Sequence, residues 1–372
     1  MPRSTTGSSP PGHAGAHRPA AGERWRSPPC SSPRRPRTSS TARCFAWTAA
    51  RAAASSGTRR PVAGNGARRT EPDGPGETVG ERNRPRASRP PDNVPQPKET
   101  DMPKSIPTLC GSIMGEPFSL GEKIHNAAYA ALGLDYTFVC FGVEDPRAAV
   151  QAIRTLGVRG MNVSMPYKSA VMPYLDAIDE STRAIGAVNT IDNRDGVLTG
   201  YNTDYLGAVR ALQEAIRPAG KRIAVIGAGG AAKAVAYGCR QAGARVEVFN
   251  RSAERGRTLA ESLEVGFGGS IDDFAADAFD VVINATSAGF RQPGTNPLDG
   301  RLASHLVVMD VAFIPVETAL LRQARQLGCT TVAGTRMLVH QACRQIELYT
   351  GQDAPIAVME RAMLQEIERL RL

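Results

Sequence analysis

Residues 223–235 have the sequence IAVIGAGGAAKAV, in which an apolar run leads through three glycines into a helical pattern. The run RIAVIG at 222–227 predicts a buried strand, and the alanine-rich continuation predicts a helix. Gly227 allows the tight turn between them. Gly229 and Gly230 let the backbone approach a pyrophosphate, which would lie at the helix N-terminus, where free N–H groups and the helix dipole favour an anion. This order of strand, glycine turn and helix predicts a dinucleotide-binding unit.

The residues that follow indicate which dinucleotide is bound. Ala231 continues the turn, and Ala232 stands at the third fingerprint position, where alanine is an accepted variant. The segment 244–250 predicts the next strand, after which NAD enzymes usually carry an Asp or Glu for the ribose hydroxyls. This chain instead offers Asn250, Arg251, Ser252 and Arg255. Because two guanidinium groups can stack on adenine or bind a 2′-phosphate, we expect the cofactor to be NADP.

Apolar runs and helical patterns alternate on both sides of this unit. Further strands are predicted at 108–113, 136–143, 160–165, 279–286 and 306–313, and further helices at 122–134, 145–157, 203–216 and 333–351. Asp145 is expected to cap the second of these helices and Gly157 to end it. Strands that alternate with helices predict an α/β fold with parallel pairing.

The first 101 residues differ from the rest in composition. They hold 18 of the 45 Lys and Arg and 8 of the 36 Asp and Glu, so 102–372 carry a net charge of −1 although the whole chain carries +9. The segment 1–101 is rich in Pro, Arg, Ser and Gly and is predicted to be disordered. We expect translation to start at Met102. The balance in 102–372 gives no reason to expect a nucleic-acid partner.

Cysteine and histidine usage gives further expectations. The seven cysteines include no CxxC pair, and an odd count fits no closed disulfide framework, which favours reduced thiols in the cytoplasm. No apolar run approaches the ~18 residues of a membrane span, so no membrane partner is expected. The five histidines form no spaced cluster with cysteines, so no metal site is expected, and His125 is interpreted as structural.

Two charged residues stand out once a dinucleotide site is expected. Lys168 ends the segment NVSMPYK (162–168), and Asp204 lies in GYNTDYLG (200–207) before a helical pattern. Taken alone, Lys168 fits a solvated lysine and Asp204 fits the start of a helix. Hydride transfer at a secondary alcohol needs a group that moves the hydroxyl proton. A lysine held beside a carboxylate in a cleft can do this, so the two are candidates for a proton-transfer pair.

These motifs together resemble the shikimate dehydrogenase family across 105–372. NVSMPYK resembles the family's N-V-T-x-P-x-K, and GAVNTI and GYNTDYLG match its substrate-binding Asn and catalytic Asp. IGAGGAAKAV and NRSAER resemble its NADP loop and the basic segment after it. NATSAGF (284–290) resembles N-x-T-x-x-G-M, which lies beside the nicotinamide, and GTRMLVHQA (334–342) resembles a late substrate-contact motif.

The resemblance implies NADPH-linked reduction of 3-dehydroshikimate to shikimate, a step in chorismate and aromatic amino-acid biosynthesis. It implies catalysis by Lys168 and Asp204. The implied substrate contacts are Ser119, Ser164, Asn189 and Gln341, and the implied cofactor contacts add Thr286 and Gly334 to the residues given above.

The family fold pairs an N-terminal α/β substrate domain with a Rossmann NADP-binding domain, and the C-terminal helices return to the first domain. We therefore expect a substrate domain at 102–203 plus 337–372 and a Rossmann domain at 204–336. The expected partner is a small-molecule substrate, and the expected assembly is a monomer or homodimer.

The departures from the family pattern fall where the substrate carboxylate is expected. The family usually has H-S-x-S-P before H-N, with two serine hydroxyls for the carboxylate, whereas this chain has GEPFSLGEKIHN at 115–126. Ser119 can stand for the first serine, but Gly121 replaces the second and Glu122 replaces the proline. A tyrosine expected after the late strand is Phe313. These losses resemble a shikimate dehydrogenase-like subgroup with altered carboxylate recognition.

Three alternatives stay open from the sequence. The chain could act on quinate or another cyclic hydroxy acid, with NAD in place of NADP. It could be a weakly active NADP-binding paralogue, although the retained Lys168, Asp204 and Asn189 argue against a pure binder. Nucleic-acid binding would rest entirely on the arginine-rich segment 1–101.

Overall fold

The computed structural model describes residues 106–370. The segment 1–101, predicted to be disordered, lies outside the described residues. In the described part, two six-stranded sheets follow one another along the chain, and helices pack against each of them.

The first sheet mixes parallel and antiparallel strands, in the order β2-β1-β3-β5-β6-β4. Its strands are β1 (Thr108–Met114), β2 (Tyr136–Gly142), β3 (Gly160–Val163), β4 (Ala177–Ile178), β5 (Thr190–Arg194) and β6 (Val197–Tyr201), and the helices between them are α1 (Leu120–Ala131), α2 (Pro146–Thr155) and α3 (Glu180–Ile185). The predicted cap of α2 is confirmed: Asp145 accepts from two backbone N–H groups of the first turn, and Gly157 follows the helix with φ +61°.

The expectation of parallel pairing is wrong for one part of this sheet. Strands β5 and β6 form an antiparallel hairpin, and β5 also pairs antiparallel with β3. The hairpin turns through Asp195 and Gly196, both with positive φ (53° and 84°), so two residues join the strands. Asp-Gly is a favoured pair for such a turn. The polar strand sequence TIDNR hid the strand, because Thr190 and Asp192 are buried as well as Ile191.

The second sheet is entirely parallel, in the order β12-β11-β10-β7-β8-β9. Its elements are α4 (Asp204–Gln213), β7 (Arg222–Ile226), α5 (Gly230–Gln241), β8 (Arg245–Phe249), α6 (Ala253–Leu263), β9 (Gly266–Gly269), β10 (Val281–Asn284), β11 (Val307–Asp310), α7 (Ala319–Gln326) and β12 (Thr330–Val332). The order runs outward on both sides from β7, the first strand of the sheet, as in the Rossmann fold. Ile223, Val225 and Ile283 are fully buried, which explains why these strands appear as continuous apolar runs.

The last two helices return to the first sheet, as expected. These are α8 (Gly334–Thr350) and α9 (Ile356–Arg369), separated by a turn at Gly351. Val339, Ile346 and Tyr349 of α8 share a core with α1 and β1. The ring of Tyr349 lies so close to β3 that a Cβ on Gly160 would come within 2.3 Å of it.

Helix α4 connects the two sheets and is packed tightly on two sides. A Cβ at Gly207 would come within 2.6 Å of the Met337 carbonyl oxygen on α8. A Cβ at Gly238 on α5 would come within 2.8 Å of the Tyr205 carbonyl oxygen on α4. These close backbone approaches fix the position of Asp204, the first residue of α4, relative to both sheets.

Candidate functional site

Lys168 and Asp204 form a direct ion pair. The Lys168 Nζ atom donates to Asp204 Oδ2 at 2.6 Å, with 28% of the lysine side chain and 8% of the aspartate side chain exposed. The Lys168 carbonyl accepts from the N–H of Val188, which anchors the loop that follows β3. Because Nζ has three N–H donors and makes one hydrogen bond within the described residues, two donors remain for a substrate oxygen.

The carboxylate of Asp204 is held from two further directions. Its Oδ1 atom accepts from Asn189 Nδ2 at 2.8 Å, and its own N–H donates to Asn202 Oδ1 at 3.0 Å. As the first residue of α4, it lies at the positive end of the helix dipole, which favours a negative charge. The pair therefore has a fixed carboxylate and a partly exposed ammonium group.

Asn189, predicted as a substrate contact, has its whole amide engaged by protein groups. Its Nδ2 donates to Asp204 Oδ1, to Thr203 Oγ1 at 3.0 Å and to Gln341 Oε1 at 3.3 Å. Its Oδ1 accepts from the N–H of Thr203 at 2.7 Å and from Thr190 Oγ1 at 2.8 Å. The residue is 3% exposed. In this arrangement Asn189 orients Asp204.

Gln341 and Ser164, also predicted as substrate contacts, are half-buried beside the pair or its loop. Gln341 lies on α8 and gives its oxygen to Asn189, while its NH₂ group has no hydrogen-bond partner in the described range and remains a donor. Ser164 follows β3 and donates its N–H to the Ile113 carbonyl. Its hydroxyl makes no hydrogen bond to another of the residues 106–370, so it too is available to a substrate.

The segment 115–126, which was expected to bind the substrate carboxylate, does not present two free hydroxyl donors. Ser119 Oγ donates to Glu366 Oε1 on α9, and that glutamate side chain is 4% exposed. The Arg369 guanidinium and, after it, the Ser119 hydroxyl lower the pKa of Glu366 to about 2, against the opposing effect of burial. Gly121 has no side chain to donate. Glu122 lies close to the thiol of Cys140 on the edge strand β2. Burial raises the pKa of this thiol most, and the charge of Glu122 adds a smaller rise.

The glycine turn of the second sheet leaves room at a helix N-terminus. Gly227 has φ +117°, and a Cβ there would lie 3.0 Å from the Ala285 carbonyl oxygen and 3.1 Å from Thr286 Cγ2. At Gly229 and Gly230, by contrast, an added Cβ would meet no described atom within 4 Å other than its chain neighbours. Helix α5 begins at Gly230. An open face over free N–H groups fits a dinucleotide pyrophosphate. Ala231 is half-buried at this turn, and Ala232 is fully buried against the sheet.

The segment after β8 presents two uncommitted cations. Asn250 Nδ2 donates to the Ser252 carbonyl at 2.8 Å, which closes a turn before α6. Arg251 and Arg255 are exposed, and within the described part of the chain neither forms an ion pair or a hydrogen bond through its side chain. Unpaired guanidinium groups at this point of the sheet suit the 2′-phosphate of NADP.

Thr286 belongs to a loop that is held by hydrogen bonds to buried side chains, and the sequence did not predict these bonds. Its N–H and hydroxyl both donate to Asn284 Oδ1, at 3.1 Å and 2.7 Å. Asn284 Nδ2 donates to Asp310 Oδ1 at 2.9 Å, and Thr318 Oγ1 donates to Asp310 Oδ2 at 2.6 Å. Both Asn284 and Asp310 are fully buried. Burial raises the pKa of Asp310 to about 6, while the bonds from Thr318, the Ala312 N–H and Asn284 oppose that rise.

Gly334, predicted as a cofactor contact, is buried at the start of α8. A Cβ there would lie 2.4 Å from the Ala312 carbonyl oxygen and 2.5 Å from that of Val311. The glycine lets α8 begin directly against the chain that leaves β11.

A second network of hydrogen-bonded side chains, which was not predicted from the sequence, supports Asn189 from the first sheet. Gln345 Nε2 donates to Thr190 Oγ1 at 3.1 Å, and Asn162 Nδ2 donates to Gln345 Oε1 at 2.9 Å. Tyr349 donates to Asn162 Oδ1 at 2.6 Å. Asn162 lies in the same NVSMPYK motif as Lys168, and this position in the motif was the available signal for its role.

The remaining candidates concern thiols, metals and the membrane. Within residues 106–370 the five cysteines are free thiols, and burial raises the pKa of Cys239 and Cys343 to about 12. His125 is buried, stacks on Phe138 at 4.1 Å, and has its pKa lowered by burial to about 4. The described residues contain no cluster of three or more potential metal ligands. None of their helices combines the length and apolarity that a bilayer crossing requires.

A dinucleotide turn and a lysine–carboxylate pair in one chain define an oxidoreductase that acts on a CH–OH group. Three family models match the chain: the shikimate dehydrogenase substrate binding domain at 113–191, shikimate / quinate 5-dehydrogenase at 210–312, and the shikimate 5′-dehydrogenase C-terminal domain at 334–364. The shikimate dehydrogenase (NADP(+)) of Methanothermobacter thermautotrophicus is 40% identical over 273 residues, which cover 69% of this chain and 96% of that protein. The chain belongs to the shikimate dehydrogenase family.

Solved structures agree with this assignment. A shikimate dehydrogenase crystallised with NADP+ is similar with a TM-score of 0.67 and 36% identity, covering 70% of this chain and 96% of that one. Ligand-free 5-ketofructose reductase of Gluconobacter sp. strain CHM43 is similar with a TM-score of 0.66 and 34% identity, covering 70% of this chain and 98% of that one. The fold thus occurs with more than one substrate.

Proposed function

We propose that this protein is an NADP-dependent shikimate dehydrogenase, which reversibly reduces 3-dehydroshikimate to shikimate in chorismate and aromatic amino-acid biosynthesis. The observation that carries the proposal is the 2.6 Å ion pair between Lys168 and Asp204 in a chain that also has an open dinucleotide turn. The relative with 40% identity is a shikimate dehydrogenase (NADP(+)), which favours this substrate over quinate or another hydroxy acid.

The side chains around the pair account for the proton transfer. When bound, NADPH supplies the hydride to the substrate carbonyl carbon. Lys168, with two N–H groups free of the described residues, donates a proton to the carbonyl oxygen as it becomes a hydroxyl. Asp204 holds the ammonium group in place and can accept a hydrogen bond from the neighbouring hydroxyl. Asn189 fixes Asp204, so the carboxylate does not have to reorganise during the reaction.

Further side chains give the substrate its orientation. The Gln341 NH₂ group and the Ser164 hydroxyl are the donors that we assign to the ring hydroxyls. Ser119 remains a candidate contact only if its bond to Glu366 opens.

The cofactor is assigned to the turn and the basic segment of the second sheet. Gly227, Gly229, Gly230 and Ala231 would lie against the pyrophosphate, since no side chain fills the space in front of α5. Arg251 and Arg255 would bind the 2′-phosphate, with Asn250 and Ser252 shaping their turn. Thr286 lies against Gly227 and would face the nicotinamide half, and Gly334 would position α8 next to it.

We also propose the domain limits and the cellular setting. A substrate domain at 102–203 plus 337–372 and a Rossmann domain at 204–336 fit the change of sheet at α4 and the return of α8 and α9. Five free thiols within 106–370 favour a reducing compartment, and we propose the cytoplasm. We propose a monomer or homodimer.

An initial-rate panel tests the function. The purified full chain is assayed with shikimate and with quinate, each with NADP and with NAD, and formation of the reduced nicotinamide is followed. We expect the highest kcat/KM with shikimate and NADP. A higher kcat/KM with quinate, or equal use of NAD, would contradict the proposal, and binding of NADP without turnover of either acid would identify a weakly active paralogue.

A further inference from the structure

The chain lacks the free hydroxyl donors that its family resemblance assigns to the substrate carboxylate. A serine hydroxyl has one proton to donate, and that of Ser119 is given to the Glu366 carboxylate. Gly121 has no hydroxyl, and Phe313 stands where the resemblance has a tyrosine. A substrate carboxylate in this region therefore needs a donor from elsewhere in the cleft.

Arg291 supplies an uncommitted cation next to this segment. Its guanidinium carbon lies 5.7 Å from the ring centroid of Phe118 and 5.6 Å from that of Phe290. Phe118 directly precedes Ser119. The guanidinium makes no ion pair and no hydrogen bond with any other residue of the described range 106–370. All five of its N–H donors are therefore available to a ligand.

The backbone holds Arg291 in this position. Its φ is +55°, a left-handed conformation that is unfavourable for an L-residue. Its N–H donates to the Ile314 carbonyl at 2.6 Å, which joins the segment to the chain after β11. Phe290 packs at 5.2 Å on Phe313 in that chain. The side chain is thus directed by a fixed turn and by two aromatic rings.

The two segments that meet at Arg291 connect it to both halves of the site. The loop of Phe118 follows β1, and its Gly115 N–H donates to the Met165 carbonyl in the loop that carries Lys168. The segment of Arg291 follows β10, where Thr286 lies against the dinucleotide turn. Arg291 therefore lies on the rim between the expected nicotinamide and the first-sheet loop.

We propose that Arg291 binds the substrate carboxylate and replaces the serine hydroxyls in this chain. The proposal rests on the proposed function, because it assumes an acidic substrate in the cleft. A guanidinium forms two parallel charge-assisted hydrogen bonds with a carboxylate, which suits a planar acid group on a ring. Cation–π contacts with the two rings use none of the N–H donors, which stay available to make those bonds.

Two ligands that share the same ring, one with a carboxylate and one with an uncharged ester, test the proposal. Shikimate and its uncharged methyl ester are titrated calorimetrically into the full chain saturated with NADPH, which cannot react with either ligand. We expect Arg291→Met to raise the Kd for shikimate by about ten- to a hundredfold, as for loss of a charged hydrogen bond. The Kd for the ester should stay close to that of the wild type. Arg291→Lys should fall between, since it keeps the charge and loses the fork.

Arg217→Met is the matched control, because Arg217 is exposed, forms no ion pair within the described residues, and lies just beyond α4. It should leave both Kd values unchanged. Equal changes for acid and ester in Arg291→Met, no change in either, or a wild type that binds neither ligand would overturn the proposal. A wild type that does not oxidise shikimate with NADP, together with an Arg291→Met variant that loses affinity for shikimate but not for its ester, would keep the role of Arg291 and refute the proposed function.

Discussion

Replacing Asp310 by asparagine removes a buried ionisable group while keeping its shape. Asp310 ends β11 with no exposed surface, and it supports Asn284, which in turn holds Thr286 beside the dinucleotide turn. The asparagine oxygen can still accept from Asn284 and from the Ala312 N–H. Thr318 can accept where it previously donated. The variant therefore isolates the effect of ionisation from that of packing.

The magnitude follows from the raised pKa of Asp310, which burial lifts from 3.8 to about 6. Because the pKa of Asp310 is higher in the folded than in the unfolded chain, its protonated carboxyl group contributes fully to the stability of the fold below about pH 4. This contribution is lost as the pH rises through about 6. At about 1.4 kcal/mol for each pKa unit, the whole loss is about 3 kcal/mol. About 2 kcal/mol of it falls between pH 4.5 and pH 7.5.

Guanidinium chloride unfolding of the wild type and Asp310→Asn at pH 4.5 and pH 7.5 measures this loss. The stability of the wild type minus that of the variant should fall by about 2 kcal/mol from the lower to the higher pH. Asp277→Asn, which removes an exposed carboxylate just before β10, at the opposite end of the second sheet from Asp310, controls for the change in net charge. A difference in stability between the wild type and Asp310→Asn that is the same at both pH values would show that folding does not raise the pKa of Asp310.

Three further predictions concern the cofactor turn, the basic segment and the substrate segment. Gly227→Ala should raise the Kd for NADP by about tenfold or more in a fluorescence titration, because its Cβ would meet the Ala285 carbonyl oxygen at 3.0 Å and its φ is +117°; unchanged binding would count against the pyrophosphate assignment. The double variant Arg251→Ala with Arg255→Ala should raise the KM for NADP by about tenfold or more and that for NAD much less; equal effects on both cofactors would mean that these side chains do not bind the 2′-phosphate. Gly121→Ser should lower the KM for shikimate by roughly fivefold, because the site has room for the side chain: the nearest atom to the new Cβ is Phe138 Cε1 at 3.7 Å. An unchanged KM would show that a hydroxyl at this position does not reach the carboxylate.

The second sheet was predictable from local sequence, and parts of the first were not. Strand β7 is buried on both faces from Ile223 to Ile226 and appears as an apolar run that ends in glycine. Most of β5 is buried too, but with Thr190 and Asp192 inside, so hydrophobic periodicity did not indicate the β5–β6 hairpin. Its Asp195-Gly196 turn was the available signal.

The residues of the candidate site likewise include some that were predictable from local sequence and others that were not. Lys168, Asp204 and the glycine turn lie in short motifs whose chemistry can be inferred from neighbouring residues. The Ser119–Glu366 bond joins positions 247 residues apart, and only the return of α9 to the first sheet brings them together. The support of Thr286 by Asp310 likewise depends on the pairing of β10 with β11. Interactions made by tertiary closure leave no local pattern to detect.

Proton transfer by Lys168 is tested by replacing this lysine with alanine. The measurement is kcat for shikimate oxidation at saturating NADP, together with the Kd for NADP, in the wild type, Lys168→Ala and Lys221→Ala. Lys221 pairs with Asp280 at the opposite end of the second sheet and serves as the control. We predict that Lys168→Ala lowers kcat by about a hundredfold or more with NADP binding retained, while Lys221→Ala stays near the wild type. A kcat for Lys168→Ala close to that of the wild type would show that Lys168 does not move the proton.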